Sequence, residues 1–129
     1  MNQWKLLSAA LLCLLLLSAC HQKAADGVAL AGPPQVGAIY SLSDGEGGFR
    51  AAKVLGVEGD VVFVQLFGER WSERPSLAAV RKKTSKSVPV AYSPQTFSGM
   101  QPFHLENGAV SAEETESYET WKTTKREVF

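Results

Sequence analysis

Eight of the fourteen leucines in this 129-residue chain fall before residue 20, and that imbalance limits what the rest can build. Residues 1–20, MNQWKLLSAALLCLLLLSAC, contribute 15 members of the hydrophobic set. The 45% hydrophobic composition of the whole is therefore inflated by its first twenty residues. The remainder is a modest, rather polar domain. Thirteen Lys/Arg balance thirteen Asp/Glu, and without Lys5 the remainder carries a formal charge of minus one. Phosphate binding is driven by accumulated basic charge, so a generic nucleic-acid binder is excluded and no nucleic-acid partner is expected.

The first twenty residues have the layout of a secretory signal peptide: one cation, Lys5, an apolar run from Leu6 to Leu17, then the small residues Ser18 and Ala19. As a helix the run would span about 18 Å at roughly 1.5 Å per residue, short of a bilayer core of about 30 Å, which disfavours a permanent transmembrane helix. Leu17-Ser18-Ala19-Cys20 resembles the lipobox of bacterial lipoproteins. The resemblance implies that Cys20 is diacylglycerylated, that residues 1–19 are cut away as a lipoprotein signal peptide, and that the new amino terminus is acylated as well. Several chains on one residue exceed the two signals needed for stable anchoring. The alternatives are a plain cysteine behind an ordinary cleavage site, or a leader retained as an anchor. With His21 rather than Asp at the next position, similarity to enteric lipoproteins implies the outer membrane, with the domain facing the periplasm. Cys13 leaves with the leader and Cys20 carries lipid, so the mature chain has no disulfide, no thiol nucleophile and no cysteine ligand for a metal.

Residues 20–35 read as the lipidated cysteine and a flexible tether, with Gly27, Gly32 and Pro33-Pro34 and no sustained period. Fifteen flexible residues have a root-mean-square reach of about 20 Å. The folded domain is expected over 36–129. Val36 to Leu42 suits a strand followed by the glycine-rich turn 44–48. Phe49–Val57 and Val61–Phe67 flank Glu58-Gly59-Asp60 and give the strongest hairpin signal. Strict alternation puts Phe49, Ala51, Leu55 and Val57 on one face of the first strand. Residues 88–92 suit a further strand, at an edge because of Pro89. Residues 93–110 look irregular, pinned by Phe97, Met100, Phe103 and Leu105. A C-terminal helix starts at a capping box, Ser111 with Glu114, and docks through Ala112, Tyr118, Trp121 and Phe129. The fold class is mainly β with one C-terminal helix, as a small SH3-like barrel or a strongly bent antiparallel sheet. Residues 48–64, GFRAAKVLGVEGDVVFV, resemble the central hairpin of SH3-like and Tudor-like barrels. The wider pattern, through residues 70–75 to residues 119–122, is similar to small bacterial proteins without an assigned activity. These resemblances imply a fold and no activity.

Catalytic patterns are sparse, and an enzyme is not expected. His104 with Glu106 two residues along suits a base and its orienter on one strand face, but neither a nucleophile elbow nor a metal-spaced histidine pair accompanies them. No cofactor and no metal are expected, and Asp44-Gly45-Glu46-Gly47-Gly48 has too few ligands for calcium. Arg70, Trp71 and Arg74 are the candidate binding residues, since Trp and Arg are the side chains most often found as hot spots. The structural alternative has Trp71 closing one end of the barrel while the arginines pair with Glu69 and Glu73. The basic run 81–86 suits a solvated loop or a contact with anionic headgroups. The expected function is a lipid-anchored, non-catalytic envelope binding module for a protein or an envelope polymer, such as an inhibitor or immunity protein. An assembly accessory of the envelope is the alternative.

Overall fold

The computed structural model describes residues 27–30, 32–82, 89–124 and 127–129. The expected signal peptide over 1–19, Cys20 and its acylation, and residues 83–86 of the basic run lie outside the described residues. Segments of Val, Ala and aromatic residues between glycine and proline turns give six strands: β1 (Val28–Ala29), β2 (Ile39–Ser43), β3 (Phe49–Glu58), β4 (Val61–Leu66), β5 (Val90–Tyr92) and β6 (Phe103–Glu106). Among the described residues three helices accompany them, α1 (Leu77–Arg81), α2 (Pro94–Gly99) and, after the last strand, α3 (Ala112–Thr124). All strand pairs are antiparallel, and the single sheet runs β1-β6-β2-β3-β4-β5 without closing on itself. The chain is thus mainly antiparallel β with a C-terminal helix, and α1 and α2 are additions to that expectation.

β3 is the spine. Its first half pairs with β2, from Ser43↔Phe49 to Ile39↔Lys53, and its second half pairs with β4, from Ala52↔Leu66 to Glu58↔Val61. Val54 faces Val64 but Gly56 faces Phe63, which leaves Leu55 as an extra residue. Such a bulge bends the strand and reverses the alternation beyond it. Val57 consequently packs with Ala52, Val54, Val62 and Val64 in the main core, while Leu55 packs on the other face with Val61 and Phe63. Strict alternation groups Leu55 with Val57, and the bulge is the reason it does not hold. Tyr40, Leu42 and Phe97 complete the main core at 0–1% exposure. Full burial of such apolar side chains contributes roughly 1.5–3 kcal/mol each.

Residues 93–110 are more regular than expected. The Ser93 hydroxyl accepts from the Thr96 N–H at 3.1 Å, Pro94 occupies the first turn of α2, and Phe97 points into the core edge-on to Tyr40. β6 then pairs with both β1 and β2. At the other end, β1 lies within the stretch that reads as tether. Val28 opposes His104 and Ala29 opposes Phe103, the Leu30 N–H donates to Pro102 O at 3.0 Å, and the Gln35 N–H donates to the Tyr40 hydroxyl oxygen at 3.0 Å. The described part of 27–35 is a strap held against the sheet at both ends.

α3 starts as its capping box dictates. The Ser111 N–H donates to Glu114 Oε1 at 2.9 Å and the Glu114 N–H donates to Ser111 Oγ at 3.1 Å. Lys53 reaches the same carboxylate at 2.9 Å and the Ala109 carbonyl at 2.7 Å, which fastens the helix start to β3. Tyr118 and Trp121 both lie against Phe63, with ring centroids 5.3 Å from it. This approach requires Gly56, because a Cβ there would sit 2.4 Å from the Tyr118 ring. Two expected contacts are not made. Ala112 is exposed, and Phe129 is 61% exposed while its backbone bonds to Ala91 and Ser93.

Candidate functional site

The segment after β4 crosses the outer face of the sheet as a brace. Trp71 and Phe49 exchange both backbone bonds, at 2.9 and 2.8 Å, and the Trp71 side chain packs half-buried against Ala51, Phe67 and Val80. Arg70 extends to the turn after β2. Asp44 Oδ1 there accepts the N–H groups of Glu46 and Gly48 at 2.8 and 3.0 Å, and Oδ2 accepts Arg70 Nε at 2.5 Å. The Glu46 N–H, opposed by a degree of desolvation and aided by Arg70 and the Gly48 N–H, holds the Asp44 carboxyl below its ordinary pKa. Gly48 makes room for this arrangement, since a Cβ there would lie 2.4 Å from the Arg70 guanidinium. The Asp44 turn is thus organised around an arginine. Among the described residues no three His, Cys, Asp or Glu side chains gather as a metal site.

Arg74 anchors the far end of the brace. Nη1 donates to Ser41 O at 3.1 Å, Ser41 Oγ at 2.9 Å and Gln101 O at 3.2 Å. The guanidinium lies 3.9 Å from the Phe103 ring centroid and 4.8 Å from that of Phe49. Partial burial lowers its pKa, and an arginine so placed keeps its charge. The three predicted binding residues therefore lie on one brace but differ in freedom. Arg70 keeps 51% side-chain exposure, Trp71 is half-covered, and Arg74 is wedged between two rings. The partners expected for the two arginines, Glu69 and Glu73, are replaced by Asp44 for Arg70 and by Ser41, Gln101 and the rings for Arg74.

His104 and Glu106 do not form a unit. The register of β6 slips between Tyr40, which opposes His104, and Ile39, which opposes Glu106. That irregularity sends the two side chains to different partners. His104 packs edge-on to Tyr40 and its Nε2 lies 2.7 Å from Asn107 Oδ1, whereas Glu106 forms an ion pair with Arg81 of α1.

A third feature corresponds to no single sequence motif. The strap, the tip of the β3–β4 hairpin and α2 enclose a cleft of about 1110 Å³. Leu30, Pro33, Val57, Val62, Phe97 and Phe103 provide apolar walls, and Arg74 lies on its lining. The sequence signals for it are Pro33-Pro34, Ser93-Pro94 and the Phe97 to Phe103 spacing. They are distributed over segments whose composition suits a tether and an irregular loop.

No family model, curated protein or solved structure matches this chain. No helix among the described residues is long and apolar enough to cross a membrane.

Proposed function

We propose that the chain is a lipid-anchored, non-enzymatic binding module of the cell envelope, tethered through an acylated Cys20 to the outer membrane and facing the periplasm. Its partner is a protein or an envelope polymer, as for an inhibitor or immunity protein. Arg70 and Trp71 make the contact, with Arg74 setting their position. The carrying observation is the rigidity of the brace: Trp71 is clamped to Phe49 by two backbone bonds, and Arg70 is held by Asp44 while remaining half-exposed. A cation and an indole fixed before binding lose little conformational freedom on complex formation, which is how such side chains become hot spots. The strand sequence β6-β2-β3-β4-β5, with the short α2 between the last two strands in chain order and a bent β3 at the centre, supports an SH3-like description of the sheet. Glu113 and Glu116, exposed at the start of α3, favour a second reading as an assembly accessory that meets basic subunits there.

Affinity capture with the full chain from envelope extract tests the brace. Trp71→Ala and Arg70→Ala are each expected to weaken retention of the captured partner by about tenfold or more, the range for a hot-spot truncation. Trp71→Phe, which keeps the apolar packing, separates loss of the indole contact from loss of fold. Wild-type retention by both alanine variants contradicts the brace as the binding surface.

A further inference from the structure

The cleft beneath the strap has a chemistry of its own. At about 1110 Å³ it slightly exceeds the usual small-molecule sites, which run roughly 300–1,000 Å³. Its floor is the main core, where Val62 and Phe97 are fully buried, and its accessible apolar walls are Leu30, Pro33, Val57 and Phe103. It is also elongated. Arg74 is bonded to Ser41, which opposes Ala51 of β3, and Val57 lies six residues further along that strand. Six residues amount to about 20 Å of strand contour before the bend is counted.

The charges on the lining are asymmetric. Glu58, at the Val57 end, is matched by Lys122 at 3.1 Å. Arg74, at the other end, pairs with no carboxylate among the described residues. All three of its hydrogen bonds leave from Nη1, so Nε and Nη2 retain donors that the described residues do not use. A long apolar trough with one unmatched guanidinium at its end complements a molecule with a hydrocarbon body and a single terminal anion.

We propose that this cleft binds a long-chain fatty acid, its hydrocarbon along Leu30, Val57 and Phe103 and its carboxylate on the Nε and Nη2 edge of Arg74. A guanidinium presents that edge as a fork matched to the two carboxylate oxygens. The site is separate from the Arg70 and Trp71 contact, because Nη1 alone carries the structural bonds of Arg74 and the opposite edge serves the ligand.

A photoreactive palmitate with a mid-chain diazirine tests this on the full chain as the cell processes it, held in neutral phosphatidylcholine nanodiscs. Palmitate label is expected to saturate, to be competed by unlabelled palmitate, and to map to peptides containing Leu30, Val57 or Phe103. The matching diazirine alcohol is expected to label about tenfold less, the value of one charge-assisted contact. Arg74→Gln brings the acid down to the level of the alcohol. Because Arg74 also holds the brace, Ser98→Trp serves as the second variant. Ser98 is exposed on α2 at the cleft lining, where an indole fills the trough without disturbing the core. It is expected to reduce palmitate labelling about tenfold while the denaturant midpoint of the fold stays at its wild-type value. Labelling that ignores Ser98→Trp, that maps away from the cleft, or that is equal for acid and alcohol overturns the proposal. Partner capture through Trp71 is unaffected by that failure.

Discussion

Arg74 joins parts of the chain that lie far apart in sequence, since one guanidinium reaches Ser41 in β2, the Gln101 carbonyl before β6, and the rings of Phe49 and Phe103. Gln101 presents that carbonyl from a left-handed backbone conformation, φ 51°, at the end of α2. A lysine keeps the charge but loses the planar fork and the stacking surface. Arg74→Lys is therefore expected to lower stability by about 2 kcal/mol, read as a lower denaturant midpoint with an unchanged slope. An unchanged midpoint contradicts the role of Arg74 as a pin. The sequence marks Arg74 as notable through its distance from Trp71 and its residue type. It does not show that the nearest partners are aromatic rings and carbonyls, because those lie in strands whose pairing is decided by the whole sheet.

Among the elements, α3 is the most legible in the sequence. Its start depends on groups three residues apart, Ser111 and Glu114, so local sequence is sufficient. The β3–β4 hairpin is legible for the same reason, with Gly59-Asp60 at its turn. The bulges at Leu55 and in β6 are not legible, since a bulge reflects which residue a partner strand selects. Nor is β1, whose two residues gain their partners only from β6. The attachment of α3 also has a pH dependence. Burial opposes ionisation of Glu114, but the bonds from Lys53 and Ser111 outweigh it and its pKa falls below 4.5. The ion pair with Lys122, then the neighbouring Tyr118 hydroxyl, likewise lowers Glu58. Carboxyls with depressed pKa values stabilise the fold above their unfolded values, and that stability is lost as pH falls through the folded ones. Tyr118 acts at the other limit, where burial and then the Glu58 carboxylate push its phenol up to about 12. Its contribution is present below the ordinary value of 10.0 and is lost as pH rises towards 12. The near-ultraviolet signal of the packed aromatic rings, Tyr118 and Trp121 among them, is expected to fade below about pH 4 in the wild type. Glu114→Gln is expected to weaken α3 at neutral pH and flatten the acid limb. An acid limb unaltered in Glu114→Gln contradicts the Lys53–Glu114 attachment.

At the scale of the molecule, the strap bears on where the proposed anchor would hold the domain. Six residues, 21–26, separate Cys20 from the first described residue, Gly27, in place of the fifteen expected for the tether. Six residues span at most about 20 Å even when fully extended. The proposed anchor therefore places the strap, and with it the cleft and the brace, close to the lipid surface. The claim on which this arrangement depends is acylation of Cys20, and the intact mass of the protein isolated from bacterial membranes tests it most directly. The account predicts a chain that begins at Cys20 and carries the added mass of a diacylglycerol and an amide-linked acyl group, reduced to no lipid adduct in Cys20→Ser. A chain that begins elsewhere, or one that begins at Cys20 without added mass, would contradict it.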